Sequence, residues 1–183
     1  MSKIKWDGDF APSFTPMEMI EQGVFEGIYV AAIKGIPSKY KEHKNALKRG
    51  ADPDPSINRY GVKSRKSLKY WQEKGWTTKD SPLGWFEWYI KYFEGRRLDE
   101  DRWQINRWKS FVARHSGQLL SNCRANDDKC RPRQRQGLLQ WAWDPSKPFT
   151  DEQKRKNLKR LQRKLSIEIV DLSQESLRNW SRW

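Results

Sequence analysis

The chain has 183 residues, enough for one domain, and 37 Lys and Arg against 23 Asp and Glu give it a formal net charge of +14. Aromatic residues make up 13% of the chain, which argues against disorder and predicts a small aromatic-rich core beneath a charged surface. No apolar run approaches the ~20 residues of a membrane span and the N-terminus lacks a signal-peptide core, so we expect an intracellular protein without a membrane partner.

Residues 1–22 are predicted to form an N-terminal arm and a short helix. Phe10 lies among Gly and Pro residues, which predicts irregular backbone that docks through its aromatic rings. Thr15 and Glu18 have the spacing of a capping box and Gly23 supplies a stop, so a helix is predicted between them.

Residues 23–149 are predicted to form a mainly helical core domain. Its first segment, 24–33, is rich in β-branched and aromatic residues and is the best strand candidate, although Gly27 weakens it. This segment would supply one strand of a minor strand pair. Residues 34–58 are basic and then rich in Asp-Pro, which predicts a loop or a loosely helical linker.

Two helices are predicted in the middle of the chain. Ser64 is placed to cap the first helix, which Gly75 ends. The second starts at Ser81, with Pro82 at its first position, and stops at Gly95. Because this second helix is apolar nearly all round, it is predicted to be central and buried.

A long helix is predicted next, from the acidic run at 99–101 to about Ser116. After a polar loop, Pro132 begins another helix. Cys123 and Cys130 lie in that loop, and they are predicted to be free thiols because they would pair only in an oxidising compartment. The cysteines and histidines lack the order of the usual zinc sites, and no metal is predicted.

Residues 150–183 are predicted to form a basic, helical C-terminal extension, in which 167–172 is either a second strand or more helix. Its leucines are predicted to face inward: Leu158, Leu161 and Leu165. Seven cations between Lys154 and Lys164 form either a solvated face or an electrostatic footprint for a polyanion. An anionic membrane is the third choice, because the helix has no aromatic anchor.

The turn between the central and the long helix carries both signs of charge. Arg96 and Arg97 lie where a guanidinium fork can grip a phosphate group. Asp99, Glu100 and Asp101 can pair with these arginines, complement the helix dipole, hold a divalent cation or act as catalytic carboxylates. These interpretations stay open at the level of sequence.

A second basic run surrounds the start of the helix at Pro132. Arg131, Arg133 and Arg135 can converge with the backbone N–H groups of a helix N-terminus on one anion. The alternative interpretation is a solvated turn. Motifs of phosphate loops, zinc proteases and serine hydrolases are missing from the sequence, no cofactor is predicted, and the weak catalytic candidates are Asp99 and Asp101.

Several motifs between about residues 23 and 144 resemble a family of small, basic, tryptophan-rich proteins encoded by phages, large DNA viruses and some fungi and algae. The motifs are Ile57-Asn58-Arg59-Tyr60-Gly61-Val62-Lys63, Gly84-Trp85-Phe86-Glu87-Trp88-Tyr89, Gly95-Arg96-Arg97 and Arg131-Pro132-Arg133-Gln134-Arg135-Gln136-Gly137-Leu138-Leu139-Gln140-Trp141. The resemblance implies a viral context, with the host cytoplasm or nucleus as the place of action, and it carries no mechanism.

The interleaving of eleven tryptophans with 37 cations indicates the partner, because cations beside flat π surfaces suit an anion with stackable rings. The sequence therefore predicts a nucleic-acid-binding protein, DNA favoured over RNA, that serves viral genome processing or packaging. The alternatives are a small enzyme acting on DNA or its bases, and an assembly partner that binds an acidic protein surface. The predicted contacts are Arg96, Arg97, Arg102, Arg107, Arg131, Arg133, Arg135, Lys154, Arg155, Lys159 and Arg163.

Overall fold

A computed structural model describes residues 8, 10–150, 156 and 158–167, and within them the fold is helical and contains no strand. The α-helices are α1 (Pro16–Glu21), α2 (Ser38–Glu42), α3 (Leu68–Glu73), α4 (Trp85–Phe93), α5 (Asp101–Asn122) and α6 (Pro132–Leu139), followed by a helical segment at 158–167. Short 3-10 helices lie at Val24–Gly27, Val30–Ala32, Pro55–Ile57 and Lys147–Phe149. The predicted helical fold is confirmed, and the minor strand pair is absent from these residues.

Helix α4 is the centre of the fold, as its sequence predicts. Seven of its nine residues are buried, and Trp88, Tyr89, Ile90 and Tyr92 have no exposed surface. The Glu87 carboxylate closes both ends of one turn, because it accepts from the Leu83 backbone N–H at 2.8 Å and from the Lys91 ammonium at 2.6 Å. A helix covered on nearly every side organises the elements around it.

The predicted start of α4 at Ser81 is wrong, because the helix begins at Trp85. The backbone first turns through Gly84, whose φ of 87° favours glycine, and the Gly84 N–H donates to the Ser81 carbonyl at 2.9 Å. The Ser81 hydroxyl is buried and donates to the Glu100 carboxylate at 2.8 Å. Ser81 therefore links two loops instead of capping a helix.

A continuous pile of five rings runs from the centre of the fold towards α5. Neighbouring ring centres are 5.0 Å apart between Tyr89 and Trp85, 4.9 Å between Trp85 and Trp141, and 4.7 Å between Trp141 and Phe111. The His115 ring follows Phe111 at 4.1 Å. We call these five residues the ring column, and offset stacking of this kind adds to the free energy of burying the rings.

Helix α5 begins where the acidic run predicts and ends later than predicted. Asp101 fixes the start, because its carboxylate accepts from the buried Trp88 indole N–H at 2.7 Å and from the Leu98 backbone N–H at 2.9 Å. The helix continues past Ser116 to Asn122, since the fully buried Leu119 extends its apolar face by another turn.

The strand predicted at 24–33 is replaced by two 3-10 helices with left-handed residues. Phe25 and Glu26 have φ of 56° and 59°, values that no strand contains. The cause is a distant anchor. The fully buried Glu26 carboxylate accepts from Arg65 at 3.0 Å, and the Glu26 backbone N–H donates to Asn58 Oδ1 at 3.1 Å.

Helix α3 is shorter than predicted. Its cap is Ser67, whose hydroxyl oxygen accepts from the Tyr70 backbone N–H at 3.2 Å, and not Ser64. The Ser64 hydroxyl instead donates to the Arg133 carbonyl at 2.6 Å and ties this segment to α6. The stop at Gly75, with a φ of 64°, is confirmed.

The N-terminal predictions are confirmed where the structure describes them. Thr15 and Glu18 form the reciprocal bonds of a capping box at the start of α1. Phe10 is fully buried, with its ring centre 4.9 Å from that of Trp108 and 5.7 Å from that of Trp88. The arm therefore packs an aromatic ring against α4 and α5.

The prediction of free thiols is wrong, because Cys123 and Cys130 form a disulfide. Helix α5 ends at Asn122, and the following loop turns back at Asp127, whose carboxylate accepts from the Cys130 N–H at 3.1 Å. This turn brings the two Cα atoms to 5.7 Å, within the range that a disulfide spans. The pairing was not apparent from the seven-residue spacing alone.

The helical segment at 158–167 confirms the predicted helix and contradicts its predicted packing. Leu158 is 55% exposed and Leu165 50% exposed, while Leu161 is half-buried. The segment reaches the end of α5 through Arg160, which donates to the Leu120 and Ser121 carbonyls, so polar contacts replace a leucine seam. In the described part of the chain, helices lack the combined length and apolarity of a membrane span.

Candidate nucleic-acid interface

Two tryptophan rings lie exposed on the surface. Trp76, which follows α3, is 41% exposed, and Trp103, in the first turn of α5, is 39% exposed. The other six tryptophans that the structure describes are buried or half-buried. Trp76 and Trp103 therefore offer ring surface to solvent where most indoles of this chain pack inside.

Arg107 lies between these two rings. Its guanidinium carbon is 4.5 Å from the centre of the Trp103 ring and 5.9 Å from that of the Trp76 ring. Its Nη1 donates to the Trp76 carbonyl at 3.0 Å and to Gln104 Oε1 at 3.1 Å. These bonds fix the cation, so the two indoles are neighbours across one guanidinium.

The position of Arg107 connects the surface rings to the core. Desolvation by burial lowers the pKa of Arg107 to about 10, against the opposing effect of the nearby Glu100 carboxylate, so the guanidinium stays protonated at neutral pH. The same guanidinium lies 5.5 Å from the centre of the Trp141 ring, in the middle of the ring column. The exposed rings thus rest on a rigid support.

Tyr70 of α3 extends this surface. Its ring meets Trp76 edge-on, with ring centres 5.7 Å apart and planes at 78°. The ammonium groups of Lys66 and Lys74 lie 5.5 and 5.8 Å from the centre of the Tyr70 ring. We call the group that these contacts define the aromatic platform: Tyr70, Trp76, Trp103 and Arg107.

The chain around α3 is rich in cations. Residues 59–79, which we call the basic segment, hold seven Lys and Arg against one carboxylate, Glu73. Arg65 is drawn inward by its ion pair with Glu26, and the other six cations are exposed. These six are Arg59, Lys63, Lys66, Lys69, Lys74 and Lys79. The segment therefore presents a dense positive charge beside the platform.

The sequence-based site contains Arg107 and omits the rest of this surface. The charge of the basic segment is a signal that the sequence does carry, because its excess of six cations falls within 21 residues. The exposure of Trp76 and Trp103 has no such signal. It depends on how α3 and α5 pack, and the two residues are far apart in the chain.

The predicted arginines at the turn before α5 are held by the protein itself. Arg96 donates to the Asp80 carbonyl at 2.9 Å, and to the Ser81 hydroxyl at 2.9 Å and the Glu100 carboxylate at 3.1 Å. Arg97 is exposed but stacks on the Tyr92 ring at 3.7 Å. Arg96 therefore stabilises the turn, and Arg97 keeps solvent contact from a fixed position.

Other predicted contacts divide between surface and interior. Arg102 and Arg133 are exposed, and Arg131 is half-buried with a φ of 52°. Arg135 is only 1% exposed; it donates to the Cys130 carbonyl at 2.9 Å, to the Asp127 carbonyl at 2.8 Å and to Asp128 Oδ1 at 3.3 Å. The structure therefore contradicts the prediction of Arg135 as a surface contact.

The C-terminal contacts are covered in part. Lys159 and Arg163 are exposed on the helical segment at 158–167. Lys154 and Arg155 lie outside the described residues.

The candidate catalytic carboxylates do not come together as a site. Asp101 is buried and holds the Trp88 and Leu98 N–H groups, whereas Asp99 is exposed. Glu100 accepts from Thr78 at 2.6 Å and from its partners at Ser81 and Arg96. Among the described residues, no group of three or more His, Cys, Asp or Glu side chains is arranged to hold a metal ion.

Comparison with known proteins adds no relative to this picture. No protein-family model, curated protein or solved structure matches the chain.

Proposed function

We propose that this protein binds nucleic acid through the aromatic platform and the basic segment. The observation that carries the proposal is the placement of six exposed cations, against one carboxylate, beside two half-exposed indoles. Cations attract the phosphate backbone and release its counterions, and aromatic faces suit the bases. The exposed contacts predicted at Arg102, Arg133, Lys159 and Arg163 would widen this footprint.

The resemblance to proteins of phages and large DNA viruses favours DNA over RNA and a role in viral genome processing or packaging. A role as an enzyme acting on DNA has less support, because both oxygens of Asp101 are taken by N–H groups of the fold. An assembly partner with an acidic surface would use the same cations and would make no use of the exposed rings.

A salt titration tests the proposal. The full chain is titrated with fluorescent DNA and RNA oligonucleotides of equal length, side by side, at several salt concentrations. With six to ten phosphate contacts, affinity should fall by about 10³–10⁵ between 50 and 200 mM salt. DNA should bind more tightly than RNA. Absence of binding at low salt would overturn the proposal and favour the acidic protein partner.

Charge-matched variants locate the interface. The triple variant Lys66→Gln, Lys69→Gln, Lys74→Gln should weaken binding and reduce the salt slope by about three contacts. A control triple at Lys41, Lys44 and Lys48, which are also exposed, changes the net charge equally. Equal losses in both variants would show that net charge alone draws the nucleic acid, and would remove the basic segment from the interface.

A further inference from the structure

We infer that the aromatic platform is a binding site for unpaired bases, which makes single-stranded nucleic acid the ligand class of this protein. The inference rests on the proposed function and goes beyond it. Cations alone would serve duplex and single strand alike, whereas ring faces do not.

The first step is the availability of the rings. Each of Trp76 and Trp103 leaves about two fifths of its surface in solvent. Arg107 lies over Trp103, and Tyr70 meets Trp76 by its edge at 78°, so neither indole is enclosed between two rings as Trp85 and Trp141 are. Exposed indoles cost free energy in water, which a stacked base would recover.

The second step is rigidity. Arg107 is bonded to the Trp76 carbonyl and to Gln104 on α5, which ties the loop after α3 to the long helix. Because these groups are already ordered, binding a base immobilises few side chains. A guanidinium and two indoles in fixed positions form a preorganised stacking surface.

The third step is the choice of ligand. The bases of a duplex stack on each other inside the helix, and their π faces are closed to a surface ring. An unpaired base has both faces available, and any of the four bases stacks, so this site favours single strands without choosing a sequence. The cations of the basic segment, among them Lys66 and Lys74 beside Tyr70, are placed for the phosphates between stacked bases.

The test compares strands and rings in one experiment. Wild type, Trp76→Ala/Trp103→Ala and Trp76→Phe/Trp103→Phe are each titrated with a labelled oligothymidine and with a hairpin duplex of equal phosphate count, at one salt concentration. We expect wild type to prefer the single strand. The double alanine variant should lose single-strand affinity by at least about 10-fold, since each stacked base contributes a factor of roughly 5 to 150.

The other arms separate stacking from charge and from folding. Duplex affinity of the alanine variant should stay within about twofold of wild type, and the phenylalanine variant, which keeps a π face, should recover most single-strand affinity. Arg133→Ala, an exposed cation on another helix, should weaken both ligands alike.

Two results would overturn the inference while leaving the proposed function intact: unchanged single-strand affinity in the alanine variant, or equal loss for both ligands with an unchanged melting temperature. A lack of binding to either ligand at low salt by wild type would instead overturn the proposed function, and the inference with it. A lowered melting temperature in the alanine variant is resolved by the phenylalanine variant. If that variant folds and fails to recover single-strand binding, the stacking site is excluded.

Discussion

The tryptophans of the ring column and those of the aromatic platform have the same side chain and opposite surroundings. Trp85 lies between the Tyr89 and Trp141 rings and is 5% exposed. Trp76 and Trp103 share one guanidinium and keep about two fifths of their surface in solvent. The comparison teaches that a high tryptophan content indicates a core first, and that exposure, not number, marks the binding surface.

The arginines divide in the same way within a single helix. Arg133 and Arg135 are two residues apart in α6, so they lie on different faces. Arg133 faces solvent, and Arg135 is enclosed by the loop from Asp127 to Cys130. A basic run at a helix start therefore contains structural and surface cations side by side.

The largest expected effect tests the core side of the comparison. Trp85→Ala and Trp88→Ala should each lower the free energy of unfolding by about 3–5 kcal/mol, because each removes a buried indole and leaves a cavity. Trp88→Ala also leaves Asp101 without one of its two donors. Urea unfolding followed by far-UV circular dichroism measures both variants.

The platform supplies the matched control for that measurement. Trp103→Ala removes the same side chain from the surface and should change stability by less than about 0.5 kcal/mol. Equal losses for Trp85→Ala and Trp103→Ala would break the comparison, since they would show that the exposed ring also carries stability.

The next effect belongs to the arginine pair. Arg135→Ala should cost about 2–4 kcal/mol, because two buried carbonyls and a carboxylate lose a charged donor. Arg133→Ala should cost less than about 0.5 kcal/mol and should weaken nucleic-acid binding. Thermal unfolding and DNA titration of both variants separate the two roles. A stable Arg135→Ala protein would return Arg135 to the surface set.

Local features of the fold were predictable from the sequence, and distant ones were not. The capping box at Thr15 and the apolar run of α4 act through neighbours within a few residues, so their patterns are complete in the sequence. The segment 24–33 has strand-like composition, but its backbone is set by Glu26 and its partner Arg65, which lies 39 positions further on. No local pattern encodes that ion pair.

The candidate site follows the same rule. The excess of cations in the basic segment is readable from composition, whereas the platform exists only because Arg107 of α5 bonds to the loop after α3. The prediction of Arg135 as a contact was wrong for a related reason, since its acceptors lie in a loop whose path depends on the disulfide at Cys130.

A smaller effect is expected from that disulfide. Replacing both Cys123 and Cys130 by Ser should lower the free energy of unfolding by about 2–3 kcal/mol, because the closed loop restricts the unfolded chain. The loop holds the acceptors of Arg135, so the loss should overlap with that of Arg135→Ala in the combined variant. Fully additive losses, measured by thermal unfolding, would show that the loop keeps its path without the bond.

The smallest effect lies at the outer end of the ring column and depends on pH. Burial, and next the charge of Arg114, lower the pKa of His115 below its ordinary value of 6.5, against the opposing hydrogen bond with Gln118. Above pH 6.5 the imidazole is neutral in both the folded and the unfolded chain, so it adds no pH dependence. Below that pH the unfolded chain binds the proton first and stability falls, until the folded protein also protonates. His115→Phe keeps a ring against Phe111 and removes the titration. The difference in unfolding free energy between wild type and this variant, measured from pH 8 to pH 5, should be constant above pH 6.5 and should shift in favour of the variant below it. A difference that stays constant to pH 5, or that shifts in favour of wild type, would show that the histidine at the end of the column is as open to water as the platform.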